Sequence, residues 1–275
     1  MAKQRLDVVL VEHGLAESRQ KAQGLIMAGK VYYKEQKLAK AGHPISLEEI
    51  PHLVVRGNPL PFVSRGGLKL QKAVDSFSLA LEGLTCADIG SSTGGFTDCM
   101  LQQGASYVYA VDSGYNQLDW KLRNHPQVCS LERTNARYLT TTEIPNPLDF
   151  FSVDVSFISL RHILPPIKPL LKEGGEGVCL IKPQFEAGRE SVGKKGVVRD
   201  RAVHERVIEQ FYTHAEQSEF LVKEITYSPI KGPEGNIEYL AYITTIPGDY
   251  PKMDIQNLVA QSHTIGKEGQ DEGHS

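Results

Sequence analysis

Between Ala87 and Asp98 the chain reads Ala-Asp-Ile-Gly-Ser-Ser-Thr-Gly-Gly-Phe-Thr-Asp, a glycine-rich turn between an apolar run and an amphipathic one. Glycines let the backbone approach a ligand closely at a helix N-terminus. The spacing from Gly90 through Gly94 and Gly95 is not the Gly-x-Gly-x-x-Gly dinucleotide fingerprint, and no Lys-Ser/Thr follows it as in a P-loop. An acid, Asp112, ends the next strand-like run in Val111-Asp112-Ser113-Gly114, where it can accept from ribose hydroxyls. Together these features describe a nucleoside cofactor with no demand for a diphosphate site, and S-adenosylmethionine fits. A tight turn without a ligand is the alternative reading. Farther along, Asp154, Lys182 and Glu238 each sit beside an apolar strand-like run. Singly, such residues are more often solvated or paired structurally. Their interest lies in what brings them together.

That positioning is a matter of alternating elements. Candidate strands are Thr85–Ile89, Tyr107–Val111, Val128–Glu132, Leu148–Val153 and Gly177–Ile181, then Leu221–Tyr227 and Glu238–Thr244 around a Gly/Pro-rich turn. Helices fill Phe96–Gln103, Leu160–Leu171 and Ala202–Gln217 between them. The alternation predicts an α/β domain, Rossmann-like, with a seven-stranded, mostly parallel sheet covered on both faces. The last two strands read as a hairpin, so the final strand runs antiparallel. In open sheets of this kind ligands bind outside the carboxyl ends of the strands. Gly90, Asp112, Asp154 and Lys182 follow such ends, and Glu238 opens the antiparallel strand at the same edge. The sheet therefore gathers Asp154, Lys182 and Glu238 beside the cofactor.

The charge is unevenly spread. The 275 residues hold 30 Lys/Arg against 33 Asp/Glu, a net of −3 that argues against a nucleic-acid partner. Residues 1–72, however, carry twelve bases and six acids, net +6, leaving −9 for the rest. A basic module joined to an acidic one suits an anionic partner, while a solvated face with no partner accounts for the charge equally well. Leu6, Val9 and Leu10 fall at helical spacing with Gly14 as a stop; Ser18 caps a second helix with Ala22, Leu25 and Ile26 on one face. Short β-like pieces follow at Val31–Tyr33, Leu38–Ala39 and Leu53–Val55. No apolar run exceeds five residues, so nothing spans a bilayer, and the start lacks a signal-peptide core. The four cysteines are scattered without a Cys-x-x-Cys pair, which fits a reducing cytoplasm and calls for no metal.

Two runs now resemble known families. Arg5 to Ala22, with Ile26-Met27-Ala28-Gly29-Lys30-Val31, is similar to the S4 RNA-binding domain, although Lys34-Glu35-Gln36 stands where an Asn-Gly turn is usual. Beyond it, Phe62-Val63-Ser64-Arg65-Gly66-Gly67-Leu68-Lys69-Leu70, the glycine turn, and Thr134-Asn135-Ala136-Arg137 resemble the haemolysin A/TlyA family. So do Asp154-Val155-Ser156-Phe157-Ile158-Ser159-Leu160, Lys182-Pro183-Gln184-Phe185-Glu186-Ala187-Gly188-Arg189 and Gly235-Asn236-Ile237-Glu238-Tyr239-Leu240. The family joins an S4 domain to an FtsJ-like methyltransferase domain. The resemblance implies an S4 domain over 1–60, a linker and leading helix over 61–84, a methyltransferase domain over 85–246 and a C-terminal tail over 247–275. It implies methyl transfer from S-adenosylmethionine to ribose 2′-hydroxyls of ribosomal RNA in the cytoplasm, on naked RNA or on ribosomal subunits.

The same resemblance assigns a Lys-Asp-Lys-Glu tetrad to Lys69, Asp154, Lys182 and Glu238. Cofactor binding falls to Asp88, Gly90, Ser91, Ser92, Thr93, Gly94, Gly95, Phe96, Asp112, Asn135 and Asp154. RNA contacts fall to Arg5, Arg19, Lys21, Lys30, Arg65, Arg189, Lys194 and Lys195. A ribose hydroxyl is a weak acid, so attack on a sulfonium methyl gains from a positioned proton acceptor, and Lys182 is the candidate. Phe157, Phe185 and Tyr115 offer faces for a base or else simple packing. Pro183–Asp200 reads either as a phosphate-gripping lid or as a connector, and the polar end after Lys267 as disordered. Two other functions stand against methyl transfer: a non-catalytic S4-type assembly factor, and a membrane-active haemolysin.

Overall fold

The computed structural model describes residues 4–13, 15–16, 18–34, 36–46, 49–56 and 61–264. Gly14 and the end after Lys267 lie outside the described residues. The chain divides into two compact units, Met1–Pro61 and Phe62–Ser275.

In the first unit, helices α1 (Leu6–Glu12) and α2 (Arg19–Met27) precede strands β1 (Val31–Tyr33), β2 (Gln36–Lys37) and β3 (Leu53–Val55), with β1 central and antiparallel to both neighbours. The helical spacing of Leu6, Val9 and Leu10 has its consequence in packing: all three are buried with Ala22, Ile26, Val31 and Leu53 in one core. Ser18 caps α2, its side chain accepting from the Lys21 N–H at 3.2 Å. The second strand pairs two residues earlier than Leu38–Ala39. The tight turn at Lys34 (φ +53°) opposes Tyr33 to Gln36, and the apolar Leu38 is drawn into the core instead.

Two of the expected RNA-contacting arginines are engaged within this unit. The buried Asp7 carboxylate accepts from Arg5 Nε (3.0 Å) and Nη2 (3.1 Å), from Arg19 Nη2 (3.1 Å) and from Gln23 Nε2 (2.9 Å). The Arg5 bond above all, with Gln23 and Arg19, holds this carboxyl well below the usual range. A depressed carboxyl stabilises the fold above its unfolded-state value and loses that contribution as pH falls through the folded one. Asp7→Asn should cost this unit about 2 kcal/mol at neutral pH, read as faster amide hydrogen exchange across α1 and α2, with the difference fading in acid.

The second unit opens with α3 (Gly66–Phe77) and continues β4 (Thr85–Ile89), α4 (Gly95–Gln102), β5 (Tyr107–Val111), α5 (Trp120–Arg123), β6 (Val128–Leu131), β7 (Leu148–Val153), β8 (Leu171–Ile181), α6 (Pro183–Glu186), α7 (Arg201–Gln217), β9 (Leu221–Tyr227), β10 (Tyr239–Thr244) and α8 (Ile255–Ser262). The sheet order is β9-β10-β8-β7-β4-β5-β6. Its β8-β7-β4-β5-β6 part is parallel, while β10 runs antiparallel to both β8 and β9. The α/β class, the seven strands and the closing antiparallel hairpin are as the alternation predicts. Successive residues of β4 face opposite layers: Ala87 and Ile89 join a core with Val207, Phe211 and Leu258, whereas Cys86 joins Leu70, Phe77 and Met100. A parallel sheet buried on both faces explains why its strands read as continuous apolar runs.

Three expectations change. The helix over Leu160–Leu171 is broken into a 3₁₀ turn (Leu160–His162), one α turn (Leu164–Ile167) and another 3₁₀ turn (Lys168–Leu170). Pro165, Pro166 and Pro169 lack the N–H donors a continuous helix needs. Strand β8 starts at Leu171 rather than Gly177, crossing an irregular pairing between Leu171 and Glu176. The segment after Pro247 is not a mere tail: α8 is capped by Asp254, and its Ile255, Leu258 and Val259 are buried in the main core.

Candidate active site

Sheet register assembles the site. Ile89 pairs with Val111 on one side and Val153 on the other, so Gly90, Asp112 and Asp154 leave neighbouring strands at one edge. Ile181 pairs with Tyr239, which places Lys182 and Glu238 beyond that same edge. Lys69 comes from α3, which packs against α4 and β10.

The four side chains form one connected set. Lys182 Nζ lies 2.6 Å from Asp154 Oδ1, and Lys69 Nζ lies 3.7 Å from Asp154 Oδ2 and 2.7 Å from Glu238 Oε2. Two ammonium groups thus alternate with two carboxylates, and the formal charges cancel. Lys69 and Lys182 are each 8% exposed and Glu238 only 1%, whereas the Asp154 side chain keeps 20%, so Asp154 is the member most open to a ligand. Buried charges persist only when paired and hydrogen-bonded, and two residues that sequence reasoning did not single out complete the pairing. Ser156 Oγ accepts from Lys182 Nζ at 3.1 Å, and Gln184 Nε2 donates to Glu238 Oε1 at 3.2 Å. Both lie inside the motifs that carry Asp154 and Lys182, which was the available signal. A third supporter is Asn236. Its side chain accepts from Val198 N and donates to Gly196 O, while its carbonyl accepts from Gly232 N. It pins the closing end of Pro183–Asp200, at Gly196 and Val198, to the turn before Glu238.

Beside the tetrad runs a cleft of two adjoining cavities. One, of about 540 Å³, is lined by Lys69, Lys182, Arg65, Asp88, Gly90, Ser91, Ser92, Thr93, Gly95, Phe96 and Asp154. The other, of about 630 Å³, is lined by Gly90, Ser92, Asp112, Asn135, Asp154, Arg137 and Phe157 among others. They meet at Gly90, Ser92, Asp154 and Ser156, and each lies in the size range of a small-molecule site. Gly90 is required there: its φ is +86°, and a Cβ would run into the backbone carbonyl of Asp154. Asp112 is well prepared for a ribose. Its oxygens accept from Ser92 N (2.8 Å) and Gly114 N (2.6 Å), and each retains a further lone pair.

The other expected residues have varied surroundings. Asp88 is 1% exposed, and its oxygens are taken by its own chain: Thr97 N at 2.9 Å, Thr97 Oγ1 at 2.7 Å and Ser152 Oγ at 3.3 Å. Burial pushes its carboxyl up to about 7. It braces the turn from beneath. Gly94, at φ +92°, shapes the turn against Leu118 and Leu122 and lines neither cavity, while Phe96 is largely core. Asn135 is exposed and caps a 3₁₀ turn by accepting from Arg137 N. Lys194 and Lys195 surround a separate cavity of about 340 Å³ with Arg199, and Arg189 is exposed outside all three. Lys21 is exposed and Lys30 half-buried on the first unit. Phe157 is 90% exposed, its ring 4.9 Å from Phe185; the exposed Tyr115 is covered by Arg133 at 4.1 Å. Among the described residues no cluster of three His, Cys, Asp or Glu could hold a metal, and no helix is long and apolar enough to cross a membrane.

Comparison with known proteins bears on this arrangement. Residues 62–244 match the profile of FtsJ-like methyltransferase, and residues 4–50 that of the S4 domain. YqxC of Bacillus subtilis is 50% identical over 97% of this chain and 96% of its own length. The 16S/23S rRNA (cytidine-2′-O)-methyltransferase TlyA of Mycobacterium tuberculosis is 42% identical, covering 88% of this chain and 90% of its own. A solved structure from Streptococcus thermophilus is 44% identical, with a TM-score of 0.75 over 98% of this chain and 99% of that one.

Proposed function

The chain belongs to the haemolysin A/TlyA family, S4-bearing proteins with an FtsJ-like methyltransferase domain, and from that premise we propose that it transfers methyl groups from S-adenosylmethionine to ribose 2′-hydroxyls of cytidine in ribosomal RNA. The observation that carries the reading is the connected Lys69–Asp154–Lys182–Glu238 set facing a cleft with a glycine turn and a ribose-accepting acid.

The cleft fits the cofactor. Asp112 would accept from its ribose hydroxyls, the Gly90–Thr93 backbone would lie along it, and Asn135 would border the nucleoside end. When bound, S-adenosylmethionine supplies an electrophilic methyl group on a sulfonium. The protein's own residues do the rest. Lys182, in its free-amine form, orients the 2′-hydroxyl and takes its proton as the oxygen–carbon bond forms at the expense of the methyl's bond to sulfur, which leaves Lys182 as the ammonium paired with Asp154. Asp154 holds Lys182 in place through its 2.6 Å contact, and Glu238 holds Lys69, whose charge balances the two carboxylates. Arg65, exposed at the rim of the tetrad's cavity, would meet a phosphate of the RNA. Lys194 and Lys195 offer further cationic contacts, and the basic S4 unit contributes recognition of the folded RNA, with Lys21 and Lys30 less committed internally than Arg5 and Arg19. With ribosomal RNA or ribosomal subunits as the proposed substrate, the reading is of a cytoplasmic reaction.

The deciding experiment supplies labelled S-adenosylmethionine with naked ribosomal RNA, with each subunit and with assembled ribosomes. Label in alkali-resistant cytidine dinucleotides is the expected result. Tight RNA binding without incorporation into any of these substrates would favour the assembly-factor reading, and label on a base would move the chemistry to another atom. For the cofactor site, Asp112→Ala should weaken S-adenosylmethionine binding about 10- to 100-fold, the loss of charge-assisted hydrogen bonds worth about 1.5–3 kcal/mol. Calorimetric titration measures it directly.

A further inference from the structure

We propose that Glu186 is a positioning residue for methyl transfer, clamping the turn that carries Asp154 to the turn that carries Lys182. The two turns leave different strands, β7 and β8, and nothing in the sheet ladder fixes them to one another beyond the strand ends. Glu186 closes α6, four residues after Lys182. Its Oε2 accepts from Ser159 Oγ at 2.6 Å and its Oε1 from Leu160 N at 2.8 Å, both on the segment that begins at Asp154. One carboxylate thus ties the far ends of both turns together, while the Lys182–Asp154 pair ties their near ends.

The Asp154 turn needs such an anchor. It passes through Phe157 at φ +63°, a conformation that bulky residues rarely adopt and that surrounding structure must impose. Phe157 is nearly all exposed, and the ring contact recorded for its side chain is with Phe185 on α6, at 4.9 Å. The turn re-enters the core at Leu160, which is 1% exposed, and that is where Glu186 grips it. Burial pushes the Glu186 carboxyl up, against the hydrogen bonds from Ser159 and Leu160 and the charges of Arg161 and His162. A half-buried acid retained at that cost, away from the cleft and touching neither cavity beside the tetrad, has positional work to do. Displacements of about 1 Å at reacting groups cost up to about a hundredfold in rate.

The inference rests on the catalytic reading above, so its test is read in two ways. In folded protein, Glu186→Ala should lower kcat by about 10- to 100-fold with RNA binding unchanged. Glu186→Gln should restore most of the rate, because its oxygen accepts from Leu160 N and its amide donates to Ser159 Oγ. Ser159→Ala, which removes one bond and leaves Glu186 in place, should fall between them and serves if Glu186→Ala does not fold. Hydrogen exchange at the Leu160 amide should quicken in Glu186→Ala and stay slow in Glu186→Gln. Wild-type kcat in both Glu186→Ala and Ser159→Ala, or equal losses in Glu186→Ala and Glu186→Gln, would overturn the clamp. Should the wild-type protein itself transfer no methyl group, the catalytic reading fails, and unchanged Leu160 exchange in Glu186→Ala would then sink the clamp on its own account.

Discussion

Lys182→Ala should abolish methyl transfer, lowering turnover by about a thousandfold or more, while S-adenosylmethionine still binds. General acid–base groups contribute about 10²–10⁴-fold, and Lys182 is the cation directly paired with the most accessible carboxylate of the tetrad. The cavity that holds Asp112 and Asn135 does not include Lys182, so cofactor affinity should survive. Lys182→Arg separates two roles. It preserves the positive charge beside Asp154 but cannot accept a proton, since a guanidinium stays protonated in proteins. Both variants should therefore be inactive if the amine is the acceptor. Activity in Lys182→Arg alone would reduce Lys182 to electrostatic support, and normal turnover in Lys182→Ala would remove it from the chemistry. Single-turnover transfer to the substrate identified above, alongside titration of the cofactor, measures both quantities.

Much of this site was legible because parallel sheets obey a strong rule. Once strands are located by their apolar runs, residues just past their carboxyl ends must converge, and Gly90, Asp112, Asp154 and Lys182 did so. Glu238 followed from one further inference, the antiparallel sense of the closing hairpin. Lys69 could not be found that way. It lies on a helix ahead of the sheet, where no periodicity distinguishes it from Lys72, and only the family resemblance assigned it. Side-chain partners were beyond pattern reasoning for a related cause. Counting charge over residues 1–72 treats Arg5 and Arg19 as free cations, yet both spend hydrogen bonds on Asp7, one of them across twelve residues. The broken helix after Leu160 was in principle readable from its three prolines, which overrule apolar spacing. So was α8: Asp254 as cap and Ile255, Leu258 and Val259 at helical spacing were all present, hidden by the expectation that a chain end is polar and loose.

Asp88→Asn should stabilise the second unit at pH 8 rather than weaken it. The Asp88 carboxyl is buried beneath the glycine turn, and desolvation raises it to about 7 in spite of the Thr97 and Ser152 donors; the nearby Asp154 charge pushes the same way. A carboxyl raised by folding contributes stability that is fully present below its unfolded value near 4, and loses it as pH climbs through about 7. Above that point the fold carries a buried anion at a cost of about 4 kcal/mol, since every tenfold weakening of acidity on folding is worth about 1.4 kcal/mol. Asparagine removes the ionisation and keeps the bonding: its oxygen accepts from Thr97 N and Oγ1, and its amide donates to Ser152 Oγ. Thermal unfolding of wild-type and variant protein between about pH 4.5 and 8.5 should show curves that lie close together at the acid end, part steadily as pH rises towards about 7, and stay apart above it, the variant higher by about 2–4 kcal/mol. A variant less stable than wild type at pH 8 would mean that the ionised carboxylate is what the Thr97 and Ser152 donors were arranged to hold. The glycine turn would then be braced by a charge, and binding of the sulfonium cofactor above it would gain from that charge directly.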